Sequence, residues 1–237
     1  MVHVVFRALV KRCIPAVVAM DRLRAHGQVL LTFDDGPDPE HTPRVLDVLD
    51  SFGARGLFFV PGLRIPRAPH LLREIVDRGH ALGNHGYSHR PLPTLRWADL
   101  VADIETGRRA IFDETGIRTR FLRPPFGATN GPVLAATWHT GHRLMLWSAD
   151  TMEYGRHRQA TAAMMASHLL SYRLDRAIVL SHDDHPVIPD VLRQVLPALR
   201  AANLDVAGAV GALPWHLGAR STSTVVEAGD VRDRISA

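Results

Sequence analysis

Short apolar runs alternate with longer amphipathic stretches along most of the chain. Seven of these runs are four or five residues long and rich in β-branched or aromatic residues, as is typical of buried strands. Between them, apolar residues recur at helical spacing. Because strands that alternate regularly with helices pair in parallel, this pattern predicts an α/β fold, either a barrel or a doubly wound sheet.

The ends of the apolar runs and the capping residues set the predicted boundaries. The predicted strands span residues 29–33, 56–60, 81–85, 119–122, 144–147, 177–181 and 204–207. The predicted helices span about 42–52, 68–79, 95–115, 131–140, 159–171 and 187–202. At the first helix, Thr42 is predicted to cap the N-terminus, with Pro43 in the first helical position.

Charge and cysteine content exclude two classes of protein. The formal net charge of +4 arises within residues 1–27, which hold five basic residues and one acidic residue. The other 210 residues are balanced, with 23 basic and 23 acidic side chains, so we expect no nucleic-acid partner. The single cysteine, Cys13, excludes an intramolecular disulfide and a cysteine-rich zinc site.

Three segments differ in composition along the chain. They are a basic N-terminal segment at 1–27, a globular domain at 28–217 that is expected to carry the chemistry, and a polar tail at 218–237. The apolar run at 13–20 has eight residues, whereas a bilayer span needs about 20. We therefore expect no transmembrane span, a packing segment ahead of the first predicted strand, and a cytoplasmic location. A peripheral membrane contact and an N-terminal export signal are the alternatives.

Five polar clusters each lie at the end of a predicted strand, on five of the seven strands. In chain order they are TFDDGP at 32–37, HGYSH at 85–89, RPPFG at 123–127, WSAD at 147–150 and LSHD at 180–183. The carboxyl ends of parallel strands meet at one face of an α/β fold, and functional groups gather on the loops there. We therefore expect these clusters to form one site.

The first two clusters contain a candidate metal site. His85 and His89 stand four residues apart, so both imidazoles can reach one ion if the segment coils. Asp34 or Asp35 can supply a carboxylate, and three protein ligands leave coordination positions open for catalysis. Such a site also suits a non-haem iron oxygenase or a metal-bearing carbohydrate-binding domain without catalysis.

The ordered set of clusters resembles the five motifs of the polysaccharide deacetylases, carbohydrate esterase family 4, also called the NodB-homology domain. The resemblance covers roughly residues 28–210. It implies a single-domain, distorted (β/α)7 barrel of parallel strands. It also implies one divalent ion, most often Zn2+ and with Co2+ as an alternative, held by Asp35, His85 and His89.

The resemblance further implies how catalytic roles are divided. Asp34 matches the general base, and Arg123 matches the arginine that tethers it. His182 matches the general acid, with Asp150 matching a carboxylate that orients the acid or contacts Arg123 instead. Positions implied to contact the substrate are Phe126, Trp147, Leu180 and Tyr154, which stands near where the family often has tryptophan.

The function implied is that of a metal-dependent hydrolase that removes N-acetyl groups from N-acetylglucosamine-containing glycans and releases acetate. O-acetyl esterase activity and hydrolysis of small amides are alternatives at the same site. The expected partner is an N-acetylated carbohydrate, and the sequence does not indicate an oligomeric state. His185 is a rival acid, but it precedes Pro186, which favours an extended loop position further from the metal.

Overall fold

One curled sheet of parallel strands organises the molecule. The computed structural model describes residues 19–155 and 159–213, and within these ranges it contains eight strands in the order β1-β6-β5-β4-β3-β2-β8-β7. The strands are β1 Ala19–Met20, β2 Leu30–Asp34, β3 Gly56–Val60, β4 Ala81–Asn84, β5 Phe121–Leu122, β6 Arg143–Met145, β7 Ala149–Asp150 and β8 Ile178–His182. The neighbouring strands pair in parallel. The predicted distorted (β/α)7 barrel of parallel strands in a single α/β domain is confirmed.

Helices follow most of the strands and cover the sheet. They are α1 His41–Ser51, α2 Pro69–Asp77, α3 Trp97–Thr115, α4 Gly131–His139, α5 Ala162–Leu170, α6 Ile188–Ala201 and α7 Gly208–Gly211. All six predicted helices are present, and α7 was not predicted. Among the described residues, none of the helices has both the length and the apolar character that a bilayer crossing needs.

Alternation along the central strands separates two hydrophobic clusters. Leu31 and Phe33 of β2 belong to the cluster that also contains residues of α1 and α6, whereas Leu30 belongs to the cluster on the opposite face. Because side chains alternate along a strand, Asp34 lies on the same face as Leu30. The same alternation in β8 places Leu180 and His182 on that face. The strand pattern therefore brings a carboxylate and an imidazole together at one end of the sheet.

The seventh predicted strand does not form. In 204–207 only Asp205 makes a bridge, to Gln28, and the chain then turns. The Asp205 carboxylate accepts hydrogen bonds from the backbone N–H groups of Ala207 and Gly208, which favours the start of α7 over a continued strand. Conversely, β1 and β7 were missed because strands of two residues are too short to show alternation.

Several predictions fall on residues that the structure does not describe. They concern residues 1–18 of the basic segment, residues 214–217 at the end of the predicted domain and the polar tail at 218–237. Within the basic segment, the described residues Ala19 and Met20 form β1 and pair with β6. The cytoplasmic location and the segment boundaries stay predictions.

Candidate active site and metal centre

An Asp-His-His cluster lies at the carboxyl end of the sheet. Asp35 follows β2 directly, and His85 and His89 lie on the loop after β4. The ligand atoms of all three lie within 4.8 Å of one another. Oδ1 of Asp35 is 2.8 Å from Nε2 of His89 and 3.4 Å from Nε2 of His85. The structure thus brings together the three predicted metal ligands.

The donor atoms of this cluster fit a divalent cation. Nδ1 of His85 lies 2.7 Å from the carbonyl oxygen of Arg123, which can only accept, so Nδ1 carries the proton and Nε2 presents a lone pair. Oδ1 of Asp35 is buried and accepts no well-aligned hydrogen bond, although both imidazoles are close. Two nitrogens and one carboxylate oxygen are a ligand set suited to zinc.

Electrostatics keep the Asp35 carboxylate ionised. Burial by itself raises the pKa of this carboxyl, but the adjacent imidazoles of His85 and His89 outweigh burial and hold the pKa well below its usual range. An ionised carboxylate is the form that binds a cation.

Arg123 holds Asp34 in place beside the cluster. The Arg123 side chain is fully buried, and its Nη1 donates to Oδ1 of Asp34 and to Oγ1 of Thr32, each at 2.7 Å. Its Nε and Nη2 donate to the carbonyl oxygens of Met145 and Leu146, at 3.2 and 3.3 Å. The other oxygen of Asp34, Oδ2, lies 3.8 Å from Nε2 of His85. Asp34 therefore keeps one carboxylate oxygen directed toward the Asp-His-His cluster.

His182 pairs with Glu153, a residue that the sequence analysis did not identify. Nδ1 of His182 lies 3.0 Å from Oε1 of Glu153, and Thr151 donates to the second carboxylate oxygen of Glu153. Burial by itself lowers the pKa of His182, but Glu153, and then the charges of Asp34 and Asp35, outweigh burial and raise that pKa to about 9. At neutral pH the imidazole is therefore protonated, as a general acid must be.

Asp150 does not take the place expected for it beside His182. Its Oδ1 lies 3.4 Å from Nε2 of His168 on α5, and Tyr172 hydrogen-bonds to the same carboxylate. The chain leaves β7 at Asp150 and adopts a left-handed backbone at Met152, which turns Glu153 back toward His182. The only sequence signal for Glu153 is a second acidic residue three positions after Asp150, and spacing alone does not show which carboxylate faces the histidine.

One cavity is lined by the Asp-His-His cluster and by the four residues that were predicted to contact the substrate. The cavity has a volume of about 350 Å³ and is bounded by Phe126, Trp147, Tyr154 and Leu180 together with Asp34, Asp35 and the three site histidines. Phe126 is 67% exposed, and its ring lies 5.0 Å from that of His89. An apolar wall beside polar reactive groups suits a small acyl group attached to a larger, solvent-exposed substrate.

Asp183 anchors the loop that carries Asp35. Its carboxylate accepts hydrogen bonds from the backbone N–H of Gly36, at 3.1 Å, and from the Thr42 hydroxyl. Burial raises the pKa of Asp183 to about 7. Thr42 is therefore not the helix cap that was predicted: α1 begins at His41, after Glu40, and the Thr42 hydroxyl donates to Asp183.

Comparisons with known proteins agree with this fold and site. A sequence model of the polysaccharide deacetylase family matches residues 23–145. The chain is 31% identical over 198 residues to peptidoglycan-N-acetylglucosamine deacetylase PgdA of Listeria monocytogenes, covering 82% of the chain but only 41% of that protein. It is 36% identical over 159 residues to a chitooligosaccharide deacetylase of Bradyrhizobium, covering 67% of the chain and 71% of that protein.

Solved structures with the same architecture belong to this group. The family 4 carbohydrate esterase from Streptomyces lividans, solved in complex with acetate, has a TM-score of 0.70 and 26% identity, covering 76% of this chain and 91% of that one. Peptidoglycan deacetylase PdaC from Bacillus subtilis has a TM-score of 0.70 and 25% identity, covering 76% and 86%. The chain belongs to the polysaccharide deacetylase family, which confirms the resemblance seen in its motifs.

We expect Gly36→Ala to destabilise the Asp35 loop. A Cβ at position 36 would lie 2.0 Å from Oδ2 of Asp183, which is buried and hydrogen-bonded. The clash should lower the free energy of unfolding by about 1–3 kcal/mol, measured by urea denaturation. Gly131→Ala is the matched control, because a Cβ there meets nothing within 4 Å. Equal stability of the two variants would contradict the anchoring role of Asp183.

Proposed function

We propose that this chain is a metal-dependent N-deacetylase that acts on N-acetylglucosamine-containing glycans and releases acetate. The observation that carries the proposal is the convergence of three different reactive groups on one cavity. These groups are the Asp-His-His cluster, the arginine-held carboxylate of Asp34 and the protonated imidazole of His182. Relatives named as peptidoglycan and chitooligosaccharide deacetylases support this substrate class.

A divalent ion held by Asp35, His85 and His89 would polarise the acetyl carbonyl and make a nearby water more acidic. The donor set favours zinc, and Co2+ is a suitable replacement. His85 is held in the correct tautomer by the carbonyl oxygen of Arg123, so one ligand is oriented before any ion binds.

Asp34 acts as the general base. Arg123 donates to Oδ1 of Asp34 and to the hydroxyl of Thr32. Because Oδ1 is held in this way, Oδ2 of Asp34 is directed toward the Asp-His-His cluster and can accept a proton from water. Water then attacks the carbonyl carbon of the N-acetyl group. A divalent ion held by Asp35, His85 and His89 would supply the positive charge that stabilises the developing oxyanion, and a backbone N–H near Phe126 would serve as a second donor.

His182 acts as the general acid in the second half of the reaction. An amine is a poor leaving group unless it is protonated, and His182 with its raised pKa carries that proton at neutral pH. The amide C–N bond breaks as the nitrogen takes the proton, giving acetate and a free amino sugar. Leu180 lines the same cavity and provides an apolar contact for the acetyl methyl group.

The same acid favours amide over ester hydrolysis. An O-acetyl esterase has a leaving group that needs less protonation, so a strongly basic imidazole is of less use to it. Neither a non-haem iron oxygenase nor a non-catalytic binding domain needs a base held by arginine, as Asp34 is, or an acid paired with a carboxylate, as His182 is. These features support amide hydrolysis over the esterase, oxygenase and non-catalytic alternatives raised by the sequence.

The direct test is acetate release by the metal-loaded protein. The substrates are N-acetylglucosamine oligomers, peptidoglycan fragments and acetylated xylan, with the chelator-treated protein as the control. We expect release from one or both N-acetylated substrates at a rate well above that from xylan. Release from xylan alone would replace the proposal with an O-acetyl esterase, and no release from any substrate with metal bound would favour a non-catalytic domain.

We expect Asp34→Asn to keep its metal but lose activity by about 10²–10⁴-fold, because Asp34 is the base and not a ligand. His89→Ala should instead lose most of its metal. Elemental analysis and acetate release are measured on both variants. Metal loss in Asp34→Asn would assign Asp34 to the ligand set.

We expect His182→Ala to suppress amide hydrolysis while sparing an activated acetyl ester, whose leaving group needs little protonation. His185→Ala is the matched control and should retain both activities, because its ring does not line the cavity. Equal loss on amide and ester in His182→Ala would show that His182 binds substrate and does not act as the acid.

We expect Glu153→Gln to move the alkaline limb of the kcat/KM profile to lower pH, by about 1–3 pH units. In the native protein His182 is protonated below about pH 9, so activity falls as pH rises through that value. The Glu153–His182 pair makes its full contribution to the free energy of folding below the ordinary histidine pKa of 6.5. This contribution is lost as the pH rises through about 9. An unchanged limb in Glu153→Gln would separate the acid from this contact.

A further inference from the structure

An ion pair joins the segments that follow β3 and β8, beside the Asp-His-His cluster. Arg64 lies in the 3₁₀ turn Gly62–Arg67 that follows β3, and Asp184 follows β8. Nη2 of Arg64 is 3.3 Å from Oδ2 of Asp184, and both side chains are half-buried. Because β3 and β8 flank β2 on opposite sides, the pair spans the end of β2, where Asp35 emerges.

Strand register places Asp184 close to the cluster. His182 pairs with Asp34, and the N–H of Asp183 donates to the carbonyl oxygen of Asp34. Asp184 therefore continues alongside the segment that carries Asp35. Burial, and then the charge of Asp35, raise the pKa of Asp184, whereas Arg64 opposes the shift. The two carboxylates thus lie within electrostatic reach of each other.

A carboxylate in this position is a hazard for a catalytic metal. Carboxylate oxygens bind divalent ions readily, and an extra protein ligand would occupy a position that water or substrate needs. The other non-ligand carboxylates around Asp35 are each held by a donor: Asp34 by Arg123, and Asp183 by Gly36 and Thr42. Arg64 provides the corresponding partner for Asp184.

We propose that Arg64 is a positioning residue that holds the Asp184 carboxylate away from the ion bound by Asp35, His85 and His89, and so keeps the open coordination positions free. This role rests on the proposed function, since it requires a metal in that cluster. Without Arg64, the Asp184 carboxylate would lose its ion-pair partner and could turn toward a cation held by Asp35, His85 and His89. The metal would then bind more tightly, and the rate of acetate release would fall.

The test compares Arg64→Met, Asp184→Asn, the double variant and Arg64→Lys with the native protein. Zinc affinity is measured by competition with a chromogenic chelator, and the absorption spectrum of the Co2+-loaded protein reports the number of ligands. Acetate release is measured in parallel. The spectrum separates new ligation from a change in charge alone, because only a new ligand alters the coordination geometry.

For Arg64→Met we expect zinc affinity to rise and acetate release to fall, each by about 10–100-fold, with a changed Co2+ spectrum. The double variant should return all three measurements close to those of the native protein, since the intruding carboxylate is gone. Arg64→Lys keeps the charge, so it should remain near native and covers the case in which Arg64→Met does not fold.

Three results would overturn the proposal. An unchanged Co2+ spectrum in Arg64→Met would mean that Asp184 does not reach the ion. Persistent loss of activity in the double variant would mean that Arg64 acts directly on substrate or on folding. Failure of the native protein to bind zinc would remove the metal centre itself, which distinguishes failure of the proposed function from failure of this inference.

Discussion

Burial of the Arg123 guanidinium is the constraint on which the site depends. A fully buried cation is costly unless its charge is neutralised and its donors are used. Here Asp34 supplies the charge, Thr32 and the carbonyls of Met145 and Leu146 accept hydrogen bonds, and the guanidinium lies 4.2 Å from the centre of the Phe59 ring. These partners come from β2, from β3 and from the end of β6. The arginine therefore fastens separate strands to each other at the end where the chemistry is placed.

The same residue links Asp34 and His85 through different groups. Its side chain fixes Asp34, while its backbone carbonyl oxygen fixes the Nδ1 proton of His85. Asp34 and His85 are thus held relative to each other by one short segment of backbone between Leu122 and the prolines that follow. Such preorganisation matters because a shift of about 1 Å in a reactive group is costly to catalysis.

Different electrostatic environments set the charge states of the ionisable groups. Two imidazoles lower the pKa of Asp35, whereas Glu153 and the site carboxylates raise the pKa of His182. One group is kept as an anion and the other as a cation within a single cavity of about 350 Å³. A buried, near-neutral Asp183 is stabilised by hydrogen bonds and serves the loop rather than the reaction. Neighbouring groups outweigh burial in setting the pKa of Asp35 and of His182, whereas burial outweighs the hydrogen bonds in setting the pKa of Asp183.

The sequence by itself determined the elements that rest on local patterns. Alternation and helical spacing predicted the central strands and six helices, and the order of the motifs predicted the residues that line the cavity. It could not decide which carboxylate faces His182, since Asp150 and Glu153 are three residues apart and their directions depend on a left-handed turn at Met152. Nor could it show that Arg64 would meet Asp184 across β2, because this contact joins segments that are distant in the chain. Local periodicity reports which face of an element is buried, whereas the partner of a buried charge is decided only when the strands are assembled.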